Sequence, residues 1–138
     1  MRAESATAAA VTARPQSRLW DVDRVSERLV RSGVAPRRIT PVPAAPAFFA
    51  GAESTGAFNV GRGGELRVFI FRDSLARRRA TDTLDPATAS PRGGPPAWPQ
   101  ASVIVVQNNL AAVLLGGDET LVERVTLALE AGLPARGS

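Results

Sequence analysis

Six residues, Leu66-Arg67-Val68-Phe69-Ile70-Phe71, constrain this chain more than any other stretch. Apolar side chains fall on both sides of the pleat, so the strand they predict is one buried on both faces. Arg72-Asp73-Ser74 then turns at once into a helical pattern, in which Asp73 or Ser74 can accept a hydrogen bond from the first free amides. The same succession of apolar strand, short turn and capped helix returns between Leu110 and Ala131.

With 138 residues the chain fits a single domain. That domain is assigned to residues 18–133. Residues 1–17, rich in Ala, Thr and Ser with Val11 as the one large aliphatic side chain, predict a disordered tail or tether. Residues 134–138 predict a frayed end.

All 17 basic residues are Arg, and the chain has no Lys, His, Cys or Tyr. This usage fits the codon bias of a GC-rich genome. The net charge of +4 is spread along the chain, whereas a nucleic-acid surface would concentrate it. Without Cys there is no disulfide, thiolate metal site or Cys nucleophile, and without His the commonest general base and metal ligand are missing. No window approaches the roughly 18 consecutive apolar residues of a membrane-spanning helix. The first residues also lack the apolar core of a secretory signal.

Along the chain, Asp21 is a suitable N-cap with Trp20 placed to staple onto Val25, and Gly33 suits the C-terminal end of that first helix. Val22, Val25, Ser26 and Leu29 form its buried stripe, with Asp23, Arg24, Glu27, Arg28 and Arg31 opposite. Residues 39–49 carry Pro41, Pro43 and Pro46, so they admit only an edge strand or an extended crossing, anchored by Phe48 and Phe49. Residues 57–60 and 65–71 predict a hairpin about the glycines 61, 63 and 64. Those glycines lead into a strand and lack the Lys-Ser/Thr of a phosphate loop, so turn chemistry explains them. Residues 102–106 and 110–115 predict a second hairpin, apolar on both faces and turning at Gln107-Asn108-Asn109. Asp118 caps a last helix that Gly132 ends.

The second helix, 74–84, carries Arg77, Arg78 and Arg79, which advance about 100° each and so fan across its surface. They read as a solvated face or, together with Arg72, as a phosphate or carboxylate contact. In the Pro- and Gly-rich loop 85–99, Trp98 lies within Pro95-Pro96-Ala97-Trp98-Pro99. It either covers the edge of the core or serves as an extended polyproline-type ligand. Phe48 and Phe49 are likewise either core anchors or a partner contact.

The order helix, Pro-rich crossing, hairpin, helix, loop, hairpin, helix predicts a two-layer α+β sandwich, with a largely antiparallel sheet of four or five strands and helices on one face. The two hairpin-plus-helix units suggest a pseudo-twofold.

Trp20 with Val25 and Leu29, Phe48-Phe49, the run Glu65 to Asp73, Ala76-Arg77, Leu84-Asp85-Pro86, Trp98-Pro99, Asn109 to Leu115, Glu123-Arg124-Val125 and Ala131-Gly132-Leu133-Pro134 together resemble a family of small uncharacterised bacterial proteins, often predicted lipoproteins. The resemblance spans most of the chain after Leu19. It implies the α+β fold and an envelope setting, periplasmic or lipid-anchored, with 1–17 as tether, and it brings no catalytic or ligand residues. This sequence departs from the family in lacking an apolar signal and a lipid-accepting Cys. If Met1 is the true start, the expected compartment is the cytoplasm.

The expected function is a non-enzymatic binding or envelope-associated interaction module that uses Trp98, Phe48 and Phe49, without cofactor or metal. Its partner is an unknown protein or small ligand, with self-association as a further option. The alternative is nucleic-acid or anion binding through Arg72, Arg77, Arg78 and Arg79, although nucleic acid is not the default expectation. Asp73, Asp82 and Asp85 are close in sequence, but cap and turn roles explain Asp73 and Asp85, so no catalytic residue is assigned.

Overall fold

The computed structural model describes residues 19–134; the expected tail, 1–17, and all but the first residue of the expected frayed end lie outside them. Helix α1 spans Val22–Arg31, and Asp21 caps it by accepting from the Arg24 N–H at 2.8 Å. A two-residue strand β1 (Arg37–Arg38) and a 3-10 turn (Ala47–Phe49) follow. Strands β2 (Ser54–Val60) and β3 (Gly64–Ile70) form the first hairpin, and α2 (Ser74–Thr81) starts behind the cap Asp73. A small pair, β4 (Leu84–Asp85) and β5 (Ser90–Pro91), sits inside the Pro-rich loop. Strands β6 (Ser102–Gln107) and β7 (Leu110–Gly116) make the second hairpin, and α3 (Glu119–Glu130) closes the chain behind Asp118.

The main sheet has the order β1-β2-β3-β7-β6 and every pairing is antiparallel, as the α+β reading expects. The inner strands of the two hairpins lie side by side, with Leu66 opposite Leu114 and Val68 opposite Ala112. Alternation along these strands then divides the interior in two. Leu66, Val68, Ile70, Leu110, Ala112 and Leu114 meet Val25 and Leu29 of α1 and Val125, Ala128 and Leu129 of α3. Phe69, Ala111, Val113 and Leu115 meet Phe49, Ala76 and Ala80 of α2, Leu84, Ala89 and Trp98.

The expected placement of all helices on one face therefore holds for α1 and α3 and fails for α2, which lies on the other. The reason is the two-sided apolar pattern itself: Phe69 and Val113 would be wet without a second cover. The suggested pseudo-twofold fails at the same point. An axis relating antiparallel β3 and β7 must stand normal to the sheet, and such an axis keeps both following helices on one face. The Pro-rich crossing also differs from expectation: the edge strand is Arg37–Arg38, ahead of the prolines, and Phe48-Phe49 sits in a 3-10 turn. Helix α2 stops at Thr81, which frees Leu84 to enter the second core.

Two arginines of α1 assigned to the solvent side are drawn inward. Arg24 is buried. Arg28 donates from Nε to the Gly132 carbonyl at 2.8 Å and from Nη2 to the Leu133 carbonyl at 3.0 Å, placing a cation where α3 ends.

Candidate functional site

Trp98 has one face against the second core and lies at the mouth of a cleft. Its indole Nε1–H donates to the Ala89 carbonyl at 2.8 Å, its ring centroid stands 6.2 Å from those of both Phe48 and Phe69, and it is 8% exposed. The loop that carries it is tied down locally. Ser102 Oγ and Ser90 Oγ both donate to the Thr88 carbonyl, at 2.6 and 3.1 Å, and the Ala97 N–H donates to Ser90 Oγ at 2.9 Å. These bonds satisfy the polar groups that a Pro- and Gly-rich segment leaves without a ladder.

Beside Trp98 opens a cleft of about 520 Å³. Val103, Leu114 and Val122 line it together with Pro96, Trp98 and Pro99 and with Gly116-Gly117, where β7 runs out toward α3. Among the described residues, no titratable side chain lines it. Gly116, at φ +70°, leaves no room for more: a Cβ there would stand 2.7 Å from the Gly63 carbonyl oxygen and 2.6 Å from Gln100 Oε1. On the opposite face of β6 lies a smaller groove of about 240 Å³, lined by Ile104, Val106, Arg77, Thr81, Asp82 and Arg92 among others. A third concavity, between α1 and α3, holds Ser32, Glu123, Arg124 and the exposed Leu127.

The expected site residues do not gather in one place. Phe49 is fully enclosed, its ring centroid 4.3 Å from that of Phe69 with the planes tilted by 32°, and Phe48 is half-buried at its side. Of the three aromatics, Trp98 lines the 520 Å³ cleft and Phe48 and Phe49 do not. Of the arginines, Arg77 donates from Nε to the Asn108 carbonyl at 2.9 Å and from Nη1 to Thr81 Oγ1 at 3.1 Å, and partial burial lowers its guanidinium from the ordinary value. Arg72 pairs with Asp73 at 3.5 Å, while Arg78 and Arg79 are exposed. The Asp73 carboxyl is held below its usual range, chiefly by the hydrogen bond it accepts from the Ala76 N–H.

Sequence reasoning missed the cleft walls from β6, β7 and α3, whose Val103, Leu114 and Val122 carry no signal beyond ordinary core residues. It also missed Arg67, whose guanidinium stands 5.9 Å from the Trp98 ring centroid while bonded to Glu65. Among the described residues, no group of three or more His, Cys, Asp or Glu is placed to hold a metal ion, and no helix is long and apolar enough to cross a membrane.

Fold and cleft together define an α+β protein with a five-stranded antiparallel sheet covered on both faces and an uncharged pocket at one edge. Comparison with the models of known protein families, with curated proteins and with solved structures returns no match.

Proposed function

We propose that this protein is a non-enzymatic binding module that receives an apolar group in the cleft beside Trp98. One observation carries the reading: among the described residues the cleft is lined by aliphatic, aromatic, Gly, Pro and neutral polar residues and by no ionisable side chain. Such a lining can desolvate an apolar group and orient it through neutral polar atoms, but it offers no acid, base or charged nucleophile. The resemblance to small bacterial lipoproteins makes the cell envelope the proposed setting.

The test is a titration of the full chain with an environment-sensitive apolar dye, followed by amide chemical shifts. Binding should move the amides of Ser102, Gly116 and Gly117 first. Thr88→Trp, which fills the cleft mouth from an exposed position, should lower dye affinity at least tenfold. Shifts confined to another surface, or unchanged affinity in Thr88→Trp, remove the reading.

A further inference from the structure

We propose that the outer edge of β6 takes up an extended peptide as a sixth strand of the main sheet, its large apolar side chains alternating with acidic ones. The proposal rests on the binding reading above and names the class of partner.

Among the described residues β6 is paired on one side only, with β7. The Gly116 N–H donates to the Ala101 carbonyl at 2.9 Å, which fixes the phase of the ladder. Hydrogen-bonded pairs then fall at Val103, Val105 and Gln107, and the main-chain N–H and C=O of Ser102, Ile104 and Val106 turn away from β7. The strand reads Ser-Val-Ile-Val-Val-Gln, six residues without a charge or a proline, and Val106 is 39% exposed. The opposite edge, β1, shows the usual protection: it is two residues long and both are Arg. An unguarded edge across the sheet from a guarded one marks β6 as a pairing site.

The occupant follows from what flanks that edge. Side chains of an added strand alternate between the two faces. On one face they would meet the uncharged 520 Å³ cleft beside Val103, and on the other the 240 Å³ groove beside Ile104 and Val106, where Arg77 and Arg92 face a single acid, Asp82. Large apolar groups fit the first and carboxylates complement the second. A second copy of β6 brings Val and Ile but no carboxylate for the Arg77 and Arg92 side.

The test is selection of a phage-displayed random dodecapeptide library on the full chain, with one enriched peptide then synthesised. The expected winners alternate large apolar residues with Asp or Glu. N-methylation of the alternate amides that face β6 should lower affinity at least tenfold, and methylation of the other set should not. Val106→Pro, which removes an outward N–H and leaves the β6–β7 ladder intact, should act like the first set, with Val106→Lys as a second edge variant. Enrichment without alternation, or equal binding of both methylated peptides, overturns the added strand. So does a dimer in sedimentation that Val106→Lys dissociates, because the edge is then held by a second copy. If the first methylated peptide loses binding while Thr88→Trp changes nothing, the added strand stands and the cleft reading falls. If Thr88→Trp abolishes binding and neither methylation matters, the cleft reading stands alone.

Discussion

The side-chain amide of Asn109 closes both main-chain groups of Trp20: Oδ1 accepts from the Trp20 N–H at 2.8 Å and Nδ2 donates to the Trp20 carbonyl at 3.0 Å. The same Nδ2 reaches the Phe71 carbonyl at 3.0 Å, and the Phe71 N–H donates to the Asn109 carbonyl at 2.8 Å. One buried amide thus joins the entry to α1, the end of β3 and the β6–β7 turn. Asn109→Ala leaves three buried polar groups without partners, and a loss of about 2–4 kcal/mol is expected in urea unfolding. Asn109→Asp keeps the acceptor for Trp20 but sets an oxygen against two carbonyls, so it should not restore stability at neutral pH.

Asp73 contributes to the acid limb of stability. Its folded pKa lies below the unfolded value because the ionised carboxylate accepts from the Ala76 N–H. Its contribution is therefore present above the unfolded pKa of about 3.9 and is lost as pH falls through the lowered folded value. Asp73→Asn should flatten the thermal-midpoint profile across that window and leave its slope near neutrality unchanged.

Gly116 should tolerate no side chain. A Cβ at its positive φ costs about 1–2 kcal/mol before the contact with the Gly63 carbonyl is counted. Gly116→Ala is expected to lower the unfolding midpoint clearly, whereas Gly51→Ala, with open space at its Cβ, should be near neutral.

Arg77 and its neighbours on α2 separate structural from solvated arginines. Arg77→Ala loses the bond that ties α2 to the β6–β7 turn and should cost about 1 kcal/mol. Arg78→Ala and Arg79→Ala should stay within about 0.5 kcal/mol, as exposed substitutions do. Any loss of anion or nucleic-acid affinity in those two variants, falling with salt, would return α2 to the list of binding surfaces.

Trp98 supports the core and borders the cleft at once. Trp98→Ala is expected to cost about 3–5 kcal/mol as a large buried truncation, and Trp98→Phe much less, chiefly the bond to Ala89. Both values are read from chemical denaturation.

Most of the fold was legible in the sequence because it rests on local chemistry. Asp21, Asp73 and Asp118 cap the three helices as their positions suggest, and Gly61 and Gly63, both at positive φ, turn the first hairpin. In the second turn the two asparagines divide the work: Asn108 takes the left-handed conformation, φ +49°, while Asn109 is the buried clasp. Nothing local separates them, because the clasp depends on a residue 89 positions away. The side taken by α2 was illegible for a similar reason. Ala76 and Ala80 fit either face, and the choice is set by the bulk of Phe49, Phe69 and Trp98. The cleft was hidden because it is made by where three elements end, and residues such as Val103 and Gly117 look alike whether they fill a core or border a hollow.

The sheet carries two cores on the same strands, and this links their fates. Successive residues of β3, Val68 and Phe69, belong to opposite compartments, as do Leu114 and Leu115 of β7. A shift of one residue in the β3–β7 pairing would carry every side chain of the slipped strand into the opposite compartment, setting Phe69 where Val68 packs. Neither side can loosen without withdrawing the backbone that the other is built on, so damage beside Trp98 should be felt at α1 and α3, and the described domain should melt as a single cooperative unit.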